Sequence, residues 1–451
     1  MLRVTIAGAS GFVGSNLVAK IRNNFKIKAL SRKLKESDHV NVEYFKTDLF
    51  SLTSTSKALE NTDVAIYLVH SMKPSSRLFQ GNFHDTDLIL ADNFIHACKK
   101  NGVKQIIYLG GIVPEGYISK HLESRKEVEG ILKSSGIPCT ILRAGMVVGN
   151  GGSSFEILKN LVHTLPGMIL PKWTASNTQI IYLDDLIDII EFSINNIKVY
   201  GETINIVNGE VIKYRDLIVQ TKQHLKKKSF LIPVPINYTA FSKLWVSVFG
   251  KSDYELVSPL IESLLCDFSK IIPSPHIEHL IKYRTYRDML KHINIDVSRK
   301  KARNKRSIIN NVRSIQRLPG NGNKKSNEIV ELYMKWLPRY MKPLIKVKKT
   351  ESQRVNFYLI GLSKPLLTLQ YIPNPADKDR VKLHIVGGLL TDTTDTGWLE
   401  FRDIENGKYF LASINEFFPS LPWYIYKFTQ APIHKLTMMN FGKFLNSKKA
   451  L

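Results

Sequence analysis

The sequence predicts an α/β protein, a Rossmann-like doubly wound parallel sheet followed by an α+β C-terminal domain. Three observations carry this expectation. The N-terminal half alternates short apolar runs with segments of helical period. A glycine-rich turn, GASGFVG at 8–14, follows the first apolar run directly and opens a helical segment. From residue 354 onward the period changes to two, broken by turn residues, before one long helical stretch.

Residues 2–7 are the first expected strand, and 15–22 place Leu17, Val18 and Ile21 on one helical face. Residues 26–31, 42–47, 63–70 and 103–111 are further short apolar runs. Before the last of them, 86–100 carries Leu90, Phe94 and Ala97 at helical spacing. Residues 138–149 (PCTILRAGMVVG) read as a sixth strand with its exit loop. Parallel strands need crossover helices, and the alternation supplies them. Residues 178–192 read as a strand entering an amphipathic helix, with Asp184 as N-cap and Asp185 in the first turn. A strand at 203–208 and a helix at 214–228 follow. FLIPVP (230–235) leads into an apolar-periodic region, 236–268, expected as a helical subdomain over the pocket or as a membrane- or partner-facing surface.

Composition narrows the class. Of 451 residues 43% are hydrophobic and 23% charged, which excludes wholesale disorder, collagen and coiled-coil rods. The net charge of +25 points to a polyanionic partner, an anionic membrane or nucleic acid, or equally to a lysine-rich solvated surface. The three cysteines, Cys98, Cys139 and Cys266, are dispersed and form no CxxC pair. No disulfide framework and no metal site are expected, which fits a reducing, cytoplasmic setting, with peripheral contact at the inner membrane as an extension. No signal peptide and no transmembrane run are read.

The turn at 8–14 carries the chemistry. Gly8 permits the tight turn, Gly11 lets the backbone approach a pyrophosphate, and Gly14 lets helix lie close to strand. The helix N-terminus offers amides and a positive dipole end to phosphates. Ser10, Phe12 and Val13 complete this cofactor loop. The second strand ends in Ser31-Arg32-Lys33 with no carboxylate where an NAD site places one; the nearest are Glu36 and Asp38. Arg32, aided by Ser31, can clamp a 2′-phosphate, so NADP(H) is favoured over NAD(H). Asp48 (KTDL) meets the adenine or caps its own turn. Leu49 and Val69, after the third and fourth strands, belong to the same cofactor-binding set.

GASGFVGSNL, KTDL, IIYLGG and ILRAGMVVG resemble the extended and atypical short-chain dehydrogenase/reductases of the NAD-dependent epimerase/dehydratase superfamily. The nearest resemblance is to the NmrA-like branch, which includes the accessory NADPH-binding subunit of respiratory complex I. YLVHSM (67–72), HLESRKEVEGIL (121–132) and the run 142–173 resemble a bacterial group that joins such a domain to a C-terminal START-like (SRPBCC) domain. The resemblance implies a Ser-Tyr-Lys catalytic set, and this chain departs from it. Gly110 and Gly111 stand at the serine position, His121 replaces the tyrosine and Arg125 the lysine. Either His121 is a proton donor with Arg125 holding the ribose, or Arg125 only binds cofactor and His121 is a helix-surface residue. Arg143 and Gly145 (LRAG) are expected near the nicotinamide.

The domain expectation is 1–290 for the NAD(P)-binding domain, 291–344 for a basic linker containing RKKARNKR (299–306), and 345–451 for the START-like domain. Strands are expected at 354–361, 366–372, 380–390, 397–404 and 408–418, with turns at Asn374-Pro375 and Asn406-Gly407, then a helix over 421–445. The basic run lacks interleaved aromatics, so nucleic acid is not favoured. The aromatic and lysine-rich segment 417–428 suits either a packed helix or a bilayer surface. Expected partners are therefore a nicotinamide dinucleotide, a small lipophilic ligand and a peripheral membrane. Two functions compete: an NAD(P)H-dependent reductase of a small lipophilic carbonyl or quinone, and a non-enzymatic redox sensor or assembly subunit of a respiratory or membrane complex.

Overall fold

The computed structural model describes residues 1–71, 76–235, 239–249, 254–268, 270–282, 284–293, 309–320, 324–350, 353–373, 379–394 and 396–447. The chain divides into two compact units, Met1–Lys73 with Leu90–Asn304, and Pro74–Ile89 with Lys305–Leu451. A segment of the N-terminal half thus belongs to the C-terminal unit, where a boundary at 290 had placed everything before it in one domain.

The first unit opens with β1 (Arg3–Ala7), α1 (Phe12–Ile21), β2 (Lys26–Ser31), β3 (Val42–Lys46), α2 (Leu52–Ala58) and β4 (Val64–Tyr67). The next strand, β5 (Ser76–Gln80), lies in the second unit, and α3 (Phe83–Lys100) follows it. Then come β6 (Gln105–Gly111), α4 (Lys120–Lys133), β7 (Cys139–Ala144), β8 (Met146–Val148), α5 (Ser153–Thr164), β9 (Gly167–Leu170), β10 (Asn177–Tyr182) and α6 (Leu183–Ser193). The unit finishes with β11 (Thr203–Ile206), β12 (Val211–Lys213), α7 (Tyr214–His224), β13 (Phe230–Pro233), α8 (Thr239–Phe249), α9 (Tyr254–Ser263) and α10 (Tyr286–His292).

Seven strands form a parallel sheet in the order β11-β7-β6-β4-β1-β2-β3. Every residue of β4 is buried, as continuous apolar strands covered on both faces require. Leu17, Val18 and Ile21 of α1 meet Leu186, Ile189 and Ile190 of α6 in one core. The chain runs outward from β1 to β3 and returns at β4, so the order reverses between β1 and β4. Ligands of open α/β sheets bind beyond the strand C-termini at such a reversal.

Asp184 is not the N-cap of α6. Tyr182 occupies that place, because β10 enters the helix without a loop, and both aspartates fall in the first turn. Asp185 is fully buried and accepts from the Lys282 backbone N–H at 3.3 Å. Burial raises its carboxyl above the usual aspartate range.

The second unit continues with β14 (Ile309–Pro319), α11 (Ser326–Tyr340), β15 (Ile345–Lys349), β16 (Arg354–Leu359), β17 (Leu367–Tyr371), β18 (Arg380–Gly387), β19 (Trp398–Ile404), β20 (Tyr409–Phe417), α12 (Trp423–Phe428) and α13 (Gln430–Leu445). Its sheet runs β15-β16-β17-β18-β19-β20-β14-β5 and is mixed, with β5 parallel to β14 and the other pairs antiparallel. The turn between β19 and β20 puts Asn406 at φ 56° and Gly407 at φ 81°, the left-handed conformations this dipeptide favours. The turn at Asn374-Pro375 lies outside the described residues.

The run 299–306 also lies outside them, but β14 and α11 occupy much of the segment 291–344 read as linker. The composition of β14 hid it, since Asn311, Arg313 and Ser314 are polar yet buried. On α11 the apolar set Ile329, Val330, Tyr333, Met334 and Leu337 is buried at helical spacing among exposed charges. Tyr333 meets Phe441 of α13 edge-on at 5.1 Å, and Trp336 approaches the same ring at 5.2 Å.

Candidate functional site: the sheet's C-terminal edge and an apolar chamber

The β1–α1 corner has the geometry the glycines imply. Gly8 has φ +89°, and a Cβ there would lie 3.0 Å from the Leu68 carbonyl oxygen. A Cβ on Gly14 would lie 2.3 Å from the Gly8 oxygen, so helix and turn approach each other only through a missing side chain. Gly11 is the N-cap of α1 and gives no side-chain bond, and its own N–H closes the turn onto Gly8 at 2.9 Å. First-turn amides of a helix have no intrahelical acceptor and face outward. Ser10 is exposed; Phe12 and Val13 are half-buried. A Cβ on Gly152 would lie 2.9 Å from the Phe12 ring, which explains the glycine-rich loop after β8.

The neighbouring strand ends place the other cofactor candidates. Ser31 is buried and accepts from the Lys33 N–H at 3.3 Å, whereas Arg32 is exposed. Asp48 accepts from the Phe50 N–H at 3.1 Å, which is the turn-capping alternative. Leu49 and Val69 are half-buried beyond β3 and β4.

At the β6–α4 corner, Ser119 caps α4 by accepting from the Leu122 N–H, and its hydroxyl meets that of Ser263 on α9 at 2.8 Å. His121 is 6% exposed, so it is no helix-surface residue. Its Nδ1 lies 3.0 Å from Nε2 of His70. The sequence reading did not assign His70 to the site; the available signal was a histidine at the exit of a parallel strand. A Cβ on Gly111 would lie 3.0 Å from Leu122 and 3.4 Å from Arg125, so this glycine lets α4 approach β6 closely. Arg125 has a buried Nε without a hydrogen-bond partner among the described residues. Buried guanidinium atoms are rarely left so, and a bound polar group would satisfy it. The glycine cradle and this orphaned donor fit a dinucleotide.

Arg143 has a different neighbourhood. It donates from Nε and an Nη to buried Glu129 at 2.9 and 2.8 Å, and Lys133 reaches the same carboxylate at 3.0 Å. The bidentate pair ties β7 to α4 and occupies the guanidinium expected at the nicotinamide. Gly145 packs on the Gln179 backbone, where a Cβ would lie 2.3 Å from a carbonyl oxygen.

A chamber of about 360 Å³ extends from Phe12, Gly110 and Gly111, past His121 and Arg125, beneath α5, α7, α8 and α9. Ile157, Leu161, Trp173, Ile218, Val257 and Ile261 form much of its far wall. Tyr214 lines it as well, and burial pushes its phenol up to about 12 despite a hydrogen bond to Thr178, so it stays protonated at neutral pH. The chamber therefore joins a polar end at the sheet edge to an apolar end under the helices.

Residues 8–168 match the family described as NAD(P)H-binding. The parallel sheet, the glycine-rich loop and this match agree on a Rossmann-like fold of the NAD(P)-binding type for the first unit. Among particular proteins, the chain is similar to the auxiliary protein GraX of Staphylococcus aureus, 32% identical over 111 residues. That match covers 24% of this chain and 36% of GraX, about a third of its length. It is also similar to the N-acetyl-alpha-D-glucosaminyl-diphospho-ditrans,octacis-undecaprenol 4-epimerase of Escherichia coli O157:H7, 25% identical over 263 residues, 52% of this chain and 76% of that enzyme. The crystal structure of a nucleoside-diphosphate-sugar epimerase from Staphylococcus aureus superposes with a TM-score of 0.51 at 17% identity, covering 64% of this chain and all of the other, a likeness of fold.

Proposed function

We propose that the first unit is an NADP(H)-dependent reductase of a small lipophilic carbonyl or quinone, with His121 as proton donor. The observation that carries this reading is a nearly buried histidine, hydrogen-bonded to a second histidine, on the wall of an apolar chamber that begins at the phosphate loop. A reduced nicotinamide dinucleotide held on that loop supplies the hydride. The backbone of Gly8–Gly14 and the α1 N-terminus hold its phosphates, Arg32 selects the 2′-phosphate, and Arg125 holds the ribose. The apolar wall excludes water and admits a lipophilic substrate. His121 gives a proton from Nε2 to the substrate oxygen as its carbon is reduced. His70, whose Nε2 meets Nδ1 of His121, orients that ring and relays a proton to it from solvent. The named substrate of the Escherichia coli relative is undecaprenol-linked, which supports a lipid-borne ligand.

The absent serine and tyrosine favour the second reading, a sensor or assembly subunit that binds cofactor without turnover. Purified protein assayed for NADPH oxidation with a panel of quinones and aldehydes separates the two. Oxidation that depends on His121 supports the enzyme; retained NADPH with no oxidation of any acceptor supports the sensor. For the second unit we propose a START-like fold. Its long C-terminal helix, and the placing of β14 beside the last strand of the antiparallel series, support this assignment.

A further inference from the structure

Helices α12 and α13 carry apolar residues on two faces. One face is core: Tyr426, Ala431, Met438 and Phe441 are buried. The other is open: Tyr424 is 69% exposed, Phe428 75%, Ile433 54%, Leu436 55% and Met439 50%. Leu436 and Met439 lie three residues apart on one helical face, with Ile433 beside them. A helix that is apolar all round is normally covered all round. Scattered exposed leucines need no explanation, but five large apolar side chains on two consecutive helices do.

The charges around this face select its partner. From Phe417 to Ser447 there are three lysines, Lys427, Lys435 and Lys443, and no aspartate or glutamate. Lys427, Lys435 and Lys443 are exposed on the same two helices. A second copy of this face would bring like charges together, which disfavours a symmetric dimer. Nucleic acid would neutralise the lysines but leave Ile433, Leu436 and Met439 uncovered. An anionic bilayer satisfies both sets: apolar side chains enter the acyl boundary, and lysine stems run along it with their ammonium groups among the headgroups.

We propose that the α12–α13 face docks the protein on an anionic lipid surface. Among the described residues no helix is long and apolar enough to cross a membrane, and the proposed docking uses this face alone. The docking stands apart from the catalytic reading, because it is measured without turnover.

The test is co-sedimentation of the full chain with phosphatidylcholine vesicles, with and without phosphatidylglycerol. Wild type is expected to pellet with the phosphatidylglycerol vesicles and to be released by salt. Leu436→Glu with Met439→Glu, and separately Lys435→Glu with Lys443→Glu, are each expected to weaken binding by about ten-fold or more. These side chains are exposed, so both variants should keep wild-type NADPH affinity and melting temperature, which controls for folding. Wild type that stays in the supernatant overturns the proposal. Binding unchanged in both variants overturns it too, as does a wild-type dimer that the Leu436→Glu, Met439→Glu variant converts to monomer.

Discussion

The β1–α1 corner and the β6–α4 corner sit at the same edge of one sheet but are built in opposite ways. The first keeps every glycine its geometry demands, down to a Gly14 with no room for a methyl group. The second, set against the Ser-Tyr-Lys pattern that the resemblance implies, carries Gly110 and Gly111, His121 and Arg125. The difference teaches that, in the proposed reading, holding the cofactor and moving a proton are separable tasks. Phosphate binding uses backbone amides, which tolerate no substitute for a missing side chain. Proton transfer needs a titratable group at the right place, and His121, paired with His70, is the group proposed for it.

The comparison breaks most clearly at His121. His121→Ala is expected to lower turnover of the acceptor about 10²–10⁴-fold while leaving NADPH affinity unchanged, read by steady-state kinetics beside calorimetry. An equal loss of both would merge the two corners into one function. Gly14→Ala should do the reverse. It forces a Cβ against the Gly8 carbonyl, costs about 2–3 kcal/mol in packing, and should lower both melting temperature and NADPH affinity. A smaller effect sharpens the first corner. Arg32→Ala should weaken NADPH by about ten-fold and leave NADH unaffected, because in the proposed binding mode only the 2′-phosphate meets the guanidinium. Parallel losses for both cofactors would remove Arg32 from the 2′-phosphate site.

The smallest predicted effect lies in the second unit and is set by pH. Glu400 is 2% exposed; burial alone would raise its carboxyl, but Arg402, Arg380 and Lys382 outweigh burial and hold it below the ordinary 4.5. Arg402 donates to it from Nε at 2.6 Å. A depressed carboxyl contributes stability that is present above pH 4.5 and is lost as pH falls through its folded value. Acid titration followed by far-UV circular dichroism should therefore show a loss below pH 4.5 that Glu400→Gln shifts or removes. An acid transition unchanged in that variant would assign it elsewhere.

Parts of this were legible in the residues. The glycine spacing, the parallel strands and the five strands from β16 to β20 follow from local rules of turn chemistry and periodicity. For Arg143 the motif position gave a place near the nicotinamide but not its partner, which is Glu129, fourteen positions earlier. The linker reading failed at β14 because a sheet can bury Asn311, Arg313 and Ser314, and hydropathy registers only their polarity. Strand β5 was missed because five residues, Ser-Arg-Leu-Phe-Gln, carry too little pattern to declare a strand.

The sequence by itself determined where the backbone must turn tightly and approach closely, because a glycine's freedom and a period of two or 3.6 residues are properties of neighbours along the chain. Tertiary structure alone decided that His70 supports His121, that Glu129 takes Arg143, and that residues 76–80 join a sheet whose other strands begin more than two hundred positions later. Those pairings are between side chains or strands far apart in the chain. No local propensity encodes them, and only burial of the surrounding core brings the partners together.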